Sequence, residues 1–341
     1  VYQSPTTVAM QYKVKPWSDE HFEKLEKSWD LLARVGNKMI NVPVVDETQF
    51  GNPEAMIYWV KKAGGDYDYD FSIFDRYLKM VMDRCGKLDY VALQIWHAGG
   101  WSARGVDNKC TVQALDEKTG KRAPVQVPPW GKPEAVAFWK PFLAAMQSRL
   151  EKLGMPQAMC VGILSDSTAP NEVFQTLSDA FPGGQARWHR GCHSATRSRK
   201  PYKVSKVGNN VVSLHEHCYG MSMVRPGKWQ LPMHTQRGMP ATAYFRVSNH
   251  LHNTGWHHAR TMAERALWTG KQGLGRICLD FWPVMKGKRG RATDIYNRYP
   301  HSSCAQREPS LKSMTWPAPD GAGSTLRYEA LVEGLSEAEA L

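Results

Sequence analysis

Short β-rich runs alternate with amphipathic helical stretches along nearly the whole chain, and that alternation leaves few folds open. The runs lie at 7–14, 38–45, 90–97, 158–166, 185–193, 210–219, 241–249 and 276–283. Helical spacing is clearest at 18–34, 71–84, 133–152, 170–181 and 258–270, with a last helix at 324–341. In the first helix Phe22, Leu25, Trp29, Leu32 and Val35 recur at three-and-four spacing, which gathers them on one face. Ser18 stands where an N-cap hydroxyl is wanted, and Asp19 and Glu20 follow at the positive end of the helix dipole.

Strand and helix in alternation predict a parallel sheet with helices outside it. Eight runs in 341 residues fit a closed (β/α)8 TIM-type barrel, expected as a single domain over 1–341. A doubly wound open sheet is the other arrangement, but no glycine-rich dinucleotide fingerprint follows the early runs. Two connections are too long for plain loops, near 99–133 and 286–323, and both read as insertions. In a barrel, long loops after strands border the site. The sequence starts at Val1 without a Met or signal peptide and stops inside a helical pattern, so a fragment of a longer protein is expected.

With 42% hydrophobic and 22% charged residues the chain has an ordinary globular composition. No apolar run approaches the roughly 18 residues of a membrane span. Seven cysteines lack CxxC spacing, which gives neither a disulfide framework nor a zinc site. His215 and His217 share one face of a strand, but no third ligand has recognisable spacing. No metal and no cofactor are therefore expected. The formal net charge is +12 and the pI about 9.3. Much of the excess is local, in 187–206 and 286–291. Such a balance favours polyanions. An anionic glycan is the expected partner; no nucleic-acid motif accompanies the charge.

The strand ends are rich in polar and aromatic residues. They offer Asp46, Trp96, His97, Asp166, His189, His193, His215, Glu216, His217, Tyr219, Asn249, His250, Asp280 and Trp282. Polar groups gathered at one rim are costly unless paired, hydrated or functional. Thirteen tryptophans add indole faces able to stack on sugar rings. Trp96, His97, Trp188, His215, Tyr219, Asn249, Asp280 and Trp282 are accordingly the candidate substrate-binding residues. The run Cys160-Val161-Gly162-Ile163-Leu164-Ser165-Asp166-Ser167 stops at a carboxylate just before a helix opened by Pro170. Asp166 is therefore the first candidate catalytic group and Glu216 the second. Two such carboxylates make a glycosidase pair, retaining at roughly 5–5.5 Å apart and inverting at roughly 6.5–9.5 Å.

The terminal segment Leu326-Arg327-Tyr328-Glu329-Ala330-Leu331-Val332-Glu333-Gly334-Leu335 resembles the R-x-E-A-L-R-E-G-I-x-D helix that closes the catalytic barrel of glycoside hydrolase family 123. Arg260 through Trp268, then Gly275-Arg276-Ile277-Cys278-Leu279-Asp280-Phe281-Trp282, is similar to that family's last barrel helix and strand. The resemblance implies an exo-acting, retaining N-acetylgalactosaminidase in which the substrate's own acetamido oxygen attacks C1. An aspartate orients the acetamido group, and the adjacent glutamate protonates the leaving oxygen. The aspartate corresponds to Asp166, whereas the acid's position holds Ser167. General acid catalysis is worth about 10²–10⁴ in rate, and a serine hydroxyl does not supply it at neutral pH.

Three expectations follow. The acid comes from elsewhere on the rim, with Glu216 ahead of Glu172 and Asp280; or the chain is an inactive relative that binds carbohydrate or serves a structural role; or the serine is an engineered, substrate-trapping replacement. The leading expectation is a glycoside hydrolase-like barrel hydrolysing a glycan, an N-acetylhexosaminide or an anionic polysaccharide. Its site lies at the C-terminal rim of the strands, in a secreted or periplasmic setting.

Overall fold

The computed structural model describes residues 1–48, 52–53, 55–62, 64–96, 110–163, 170–184, 186–191, 206–207, 210–211, 213–218, 242–244, 255–268, 273–275, 277–286, 292–294 and 313–341. Seven strands make the main sheet: β1 (Met39–Pro43), β2 (Tyr90–Gln94), β3 (Met159–Ile163), β4 (Arg187–Gly191), β5 (Ser213–Cys218), β6 (Thr242–Tyr244) and β7 (Leu274–Gly275). They are hydrogen-bonded in chain order, every pair parallel. Successive βα units of one hand give that order. The fold is mixed α/β with a parallel sheet; among the described residues no ladder joins β7 to β1 and no closed barrel is found.

The helices are α1 (Pro5–Tyr12), α2 (Asp19–Arg34), α3 (Ser72–Cys85), α4 (Pro133–Lys152), α5 (Asn171–Ala180), α6 (Gly255–Arg260), α7 (Met262–Trp268) and α8 (Leu326–Glu339). Ser18 caps α2, accepting from His21 N at 3.3 Å, and Phe22, Leu25, Trp29 and Leu32 are buried as the spacing predicts. The run 7–14, expected as a strand, is the helix α1. The physical reason lies just upstream. The Ser4 hydroxyl accepts from Thr7 N at 3.2 Å and Pro5 occupies the first helical position, where its missing N–H is harmless. Lys13, at φ 56°, ends the helix in the left-handed conformation.

Gly334 lies where α8 crosses α6. A Cβ there would sit 2.6 Å from the Arg260 carbonyl carbon and 2.9 Å from its Cα. These are backbone atoms, so relief requires the helices to separate. Gly334→Ala is expected to destabilise the chain by about 1–3 kcal/mol, the cost of overpacking, despite the gain in helix propensity. A shift of the urea midpoint at unchanged slope measures this; an unmoved midpoint would show that the helices part freely.

A second sheet of four strands is built from two connections. It runs Tyr67–Asp70, Tyr58–Lys61, Thr111–Asp116 and Arg122–Gln126 in spatial order. Its outer pairs are hairpins, but Tyr58–Lys61 pairs in parallel with Thr111–Asp116. The first pair follows β1 and the second follows β2, within the long 99–133 connection. Both therefore leave from C-terminal strand ends, the edge where α/β folds assemble their sites. Trp59 anchors this sheet on α4, with its ring 4.9 Å from Phe142 and 5.8 Å from Phe138.

Candidate functional site

The main sheet has two chemically different faces. Ile40, Val42, Val44, Val91, Leu93 and Val161 belong to the large core shared with the helices. Met39, Ala92 and Cys160, one residue out of step, form a separate small cluster with Tyr90 packed on it. Strand alternation puts Asn41 and Gln94 on this inner face. Both are buried, and Gln94 Nε2 donates to Asn41 Oδ1 at 3.0 Å. Arg187 places its guanidinium 5.8 Å from the Tyr90 ring centroid. A polar inner face within an apolar sheet is what a site needs. Sequence reasoning did not select Asn41, Gln94 or Arg187; the lone Asn in Met39–Pro43 was the available signal.

Burial pushes the Cys160 thiol up to about 12, with Arg187 opposing, and raises the Tyr90 hydroxyl to about 12 as well. Both are neutral at physiological pH, which removes them as nucleophile or base.

Register sorts the sequence candidates. Trp188 pairs with Val161, on the alternation of the helix-side core, whereas His189 pairs with Gly162, on that of Cys160. His215 pairs with His189, and Glu216 with Arg190, which itself pairs with Ile163. His215 therefore keeps the inner alternation, while Glu216 and Trp188 keep the outer one. Trp96 is buried within the large core. His97, Asp166, Ser167, Tyr219 and Asn249 lie outside the described residues. Asp46, at the end of β1, is tied to the second sheet: its Oδ2 accepts from Thr111 Oγ1 at 2.8 Å and Gln113 Nε2 at 2.7 Å.

Asp280, expected among the substrate contacts, is 0% exposed. Its Oδ1 accepts from Ser4 N at 2.7 Å; its Oδ2 accepts from Gln3 Nε2 at 2.7 Å and Ser28 Oγ at 2.8 Å. In this arrangement the carboxylate presents no surface to a substrate and instead latches the start of α1. Trp282 is also buried, its Nε1 donating to Thr315 O at 3.0 Å. Among the described residues no group of three or more His, Cys, Asp or Glu side chains is arranged to hold a metal ion.

Two buried groups by α1 titrate in opposite senses. Burial raises Asp280 from 3.8 to about 6, against the hydrogen bonds it accepts. Its protonated form is the one the fold favours, so its contribution is full below about 3.8 and is lost as pH rises to about 6. Burial lowers His21 from 6.5 to about 4. Its Nδ1 accepts from Trp17 N at 2.9 Å and its Nε2 lies 2.9 Å from Pro5 O, which suits the neutral ring. That contribution is present above 6.5 and is lost as pH falls through 4. Each is on the order of 3 kcal/mol. The two slopes are expected to offset each other between pH 4 and 6.5. In Asp280→Asn, urea melts at successive pH values should show stability falling steadily with acid across that window. A flat profile in the variant would count against the His21 assignment.

The sequence matches the description "Glycoside hydrolase 123, catalytic domain" over residues 2–341. The chain belongs to that family. Among solved structures, a family 123 glycoside hydrolase from Clostridium perfringens, studied for glycolipid glycan hydrolysis, superposes with a TM-score of 0.66 at 17% identity. The match covers 98% of this chain and 57% of that one, so the chain spans little more than half that enzyme's length. A broad-specificity endoglucanase of the GH5-4 group from Clostridium longisporum gives a TM-score of 0.40 at 10% identity, covering 92% and 86% of the two chains. No curated protein matches. No helix among the described residues is long and apolar enough to cross a membrane.

Proposed function

We propose that the chain hydrolyses a terminal N-acetylhexosaminide of an extracytoplasmic glycan at the C-terminal edge of the main sheet, with Asp166 as the orienting carboxylate. The observation that carries this reading is the place of β3, interior to the sheet between β2 and β4. Its inner alternation, Cys160 then Gly162, leads three residues past Ile163 to Asp166. We further propose that the sheet closes into a (β/α)8 barrel through the N-terminal segment. Tyr2 bridges Cys278, donating from its N–H to Ile277 O at 2.6 Å and accepting at its carbonyl from Leu279 N at 2.8 Å.

In this mechanism the substrate's acetamido oxygen forms a bond to C1 as the glycosidic C–O bond breaks, and the electron pair leaves on the departing oxygen. Asp166 accepts from the acetamido N–H and stabilises the oxazolinium charge. Water then opens the ring with net retention. In this reading His97, His215, Tyr219 and Asn249 supply hydrogen bonds to sugar hydroxyls. Glu216 is the reserve acid.

With serine at 167, the first step has no adjacent proton donor. A leaving group that departs as a stable anion does not need one; a sugar alkoxide does. The chain is therefore expected to cleave 4-nitrophenyl N-acetyl-β-galactosaminide far better than an oligosaccharide with the same terminal sugar. Ser167→Glu should raise oligosaccharide turnover by about 10²–10⁴ with much less effect on the aryl substrate. No cleavage of either substrate by wild type or variant would sink the hydrolase reading in favour of a carbohydrate-binding role.

A further inference from the structure

A cleft of about 440 Å³ is lined by Trp256, Trp282, Ser313, Trp316, Thr325 and Arg327, among other residues. Its size falls in the roughly 300–1,000 Å³ range of small-molecule sites. Trp256 lies in α6, the helix after β6, and Trp282 ends the run that follows β7, so both stand past C-terminal strand ends.

Its walls are uneven in a telling way. Trp256 and Trp316 are 50% and 51% exposed, whereas Trp282 is buried with its indole N–H spent on Thr315. Two half-bare indoles offer stacking faces. Ser313 is 8% exposed, and its Oγ has no hydrogen-bond partner among the described residues. A buried hydroxyl with room for a further hydrogen bond is a polar point on the cleft wall. Arg327 reaches across the wall, Nη1 lying 3.5 Å from Ser313 O. Thr325 caps α8, accepting from Tyr328 N at 3.2 Å and donating to Met314 O at 2.7 Å, so the positive end of α8 meets the cleft.

We infer that this cleft is a subsite for a pyranose bearing an anionic group, stacked on Trp316 or Trp256 with its acid toward Arg327 and the amino end of α8. The inference rests on the reading of the chain as glycan-acting, and it adds a second contact region and a charge preference. A uronate and a sulfate ester share this chemistry.

Titration calorimetry of the full chain separates the possibilities, with three probes: unsulfated chondroitin tetrasaccharide (uronate alone), sulfated keratan tetrasaccharide (sulfate alone) and neutral chitotetraose. At least one acidic probe is expected to bind about tenfold or more tightly than chitotetraose. Trp316→Ala should weaken the acidic probe about tenfold, and Arg327→Gln should erase the preference for acid. Trp316 is half exposed, so its variant keeps the fold; an unchanged thermal midpoint checks this, and Trp316→Phe should retain most of the affinity.

Equal affinity for neutral and acidic probes overturns the inference, as does affinity that neither substitution moves. A Trp316→Ala change in sedimentation without a change in sugar affinity overturns it in favour of a protein-docking face. Acid-selective binding without cleavage sinks only the hydrolase reading. Cleavage with sugar affinity untouched by both variants sinks only the subsite.

Discussion

Asp280→Ala is expected to lower the stability of the folded chain by about 2–5 kcal/mol, and its thermal midpoint by roughly 5–10 °C. Truncation leaves three donors, Gln3 Nε2, Ser4 N and Ser28 Oγ, facing a void in the interior. Each buried orphan costs about 1–3 kcal/mol, partly offset because the desolvated carboxylate is gone. That offset depends on pH. Above about 6 the wild-type group is charged and the fold bears its desolvation, whereas near pH 4.5 it is protonated. The loss should therefore be larger at pH 4.5 than at pH 8. Asp280→Asn keeps one acceptor oxygen and should lose less. A loss confined to activity, with stability unmoved, would return Asp280 to the substrate contacts.

Asp166→Asn is expected to reduce turnover of the aryl glycoside by about 10²–10⁴ while glycan affinity stays within a few-fold. The amide preserves shape and can still accept one hydrogen bond. It carries no charge to balance the oxazolinium, so the loss falls on kcat and not on KM. Ser167→Ala should change little, because the serine has no proton to deliver. If Asp166→Asn leaves turnover intact, the group that stabilises the oxazolinium lies elsewhere on the rim. Equal losses in affinity and turnover would mark Asp166 as a binding residue only.

Much of the scaffold was legible because its signals are local. The three-and-four spacing of Phe22, Leu25, Trp29 and Leu32 with Ser18 ahead of it specifies α2, and Pro133 opens α4 where the sequence places it. The run 7–14 misled because apolar residues in a short segment suit either period, and only the Ser4–Pro5 cap decides for helix. The second sheet escaped notice for a different reason. Tyr67–Asp70 alternates tyrosine with aspartate, and its neighbour's anchor, Trp59, packs on Phe138 and Phe142 of a distant helix.

The strands that carry some of the candidate residues were legible, but their pairing was not. Trp188 and Glu216 do lie in strands of the main sheet, yet which face they take depends on pairing with Val161 and Arg190, which no single segment specifies. Asp280 looked like a rim carboxylate because its partners Gln3, Ser4 and Ser28 are more than 250 residues away in the chain. A strand-end acid reads as reactive until the residues that silence it are seen.

The parallel seam between Tyr58–Lys61 and Thr111–Asp116 has a consequence for how such a chain diversifies. The wall it forms is shared by two excursions, each ending in an exposed hairpin tip, at 64–66 and 117–121. Its foundation is fixed: Trp59 is sunk into α4, and Asp46 grips Thr111 and Gln113. Residues can be added or exchanged at either tip without disturbing that foundation. Changes in length or chemistry at either tip are therefore expected to leave the sheet that carries it in place.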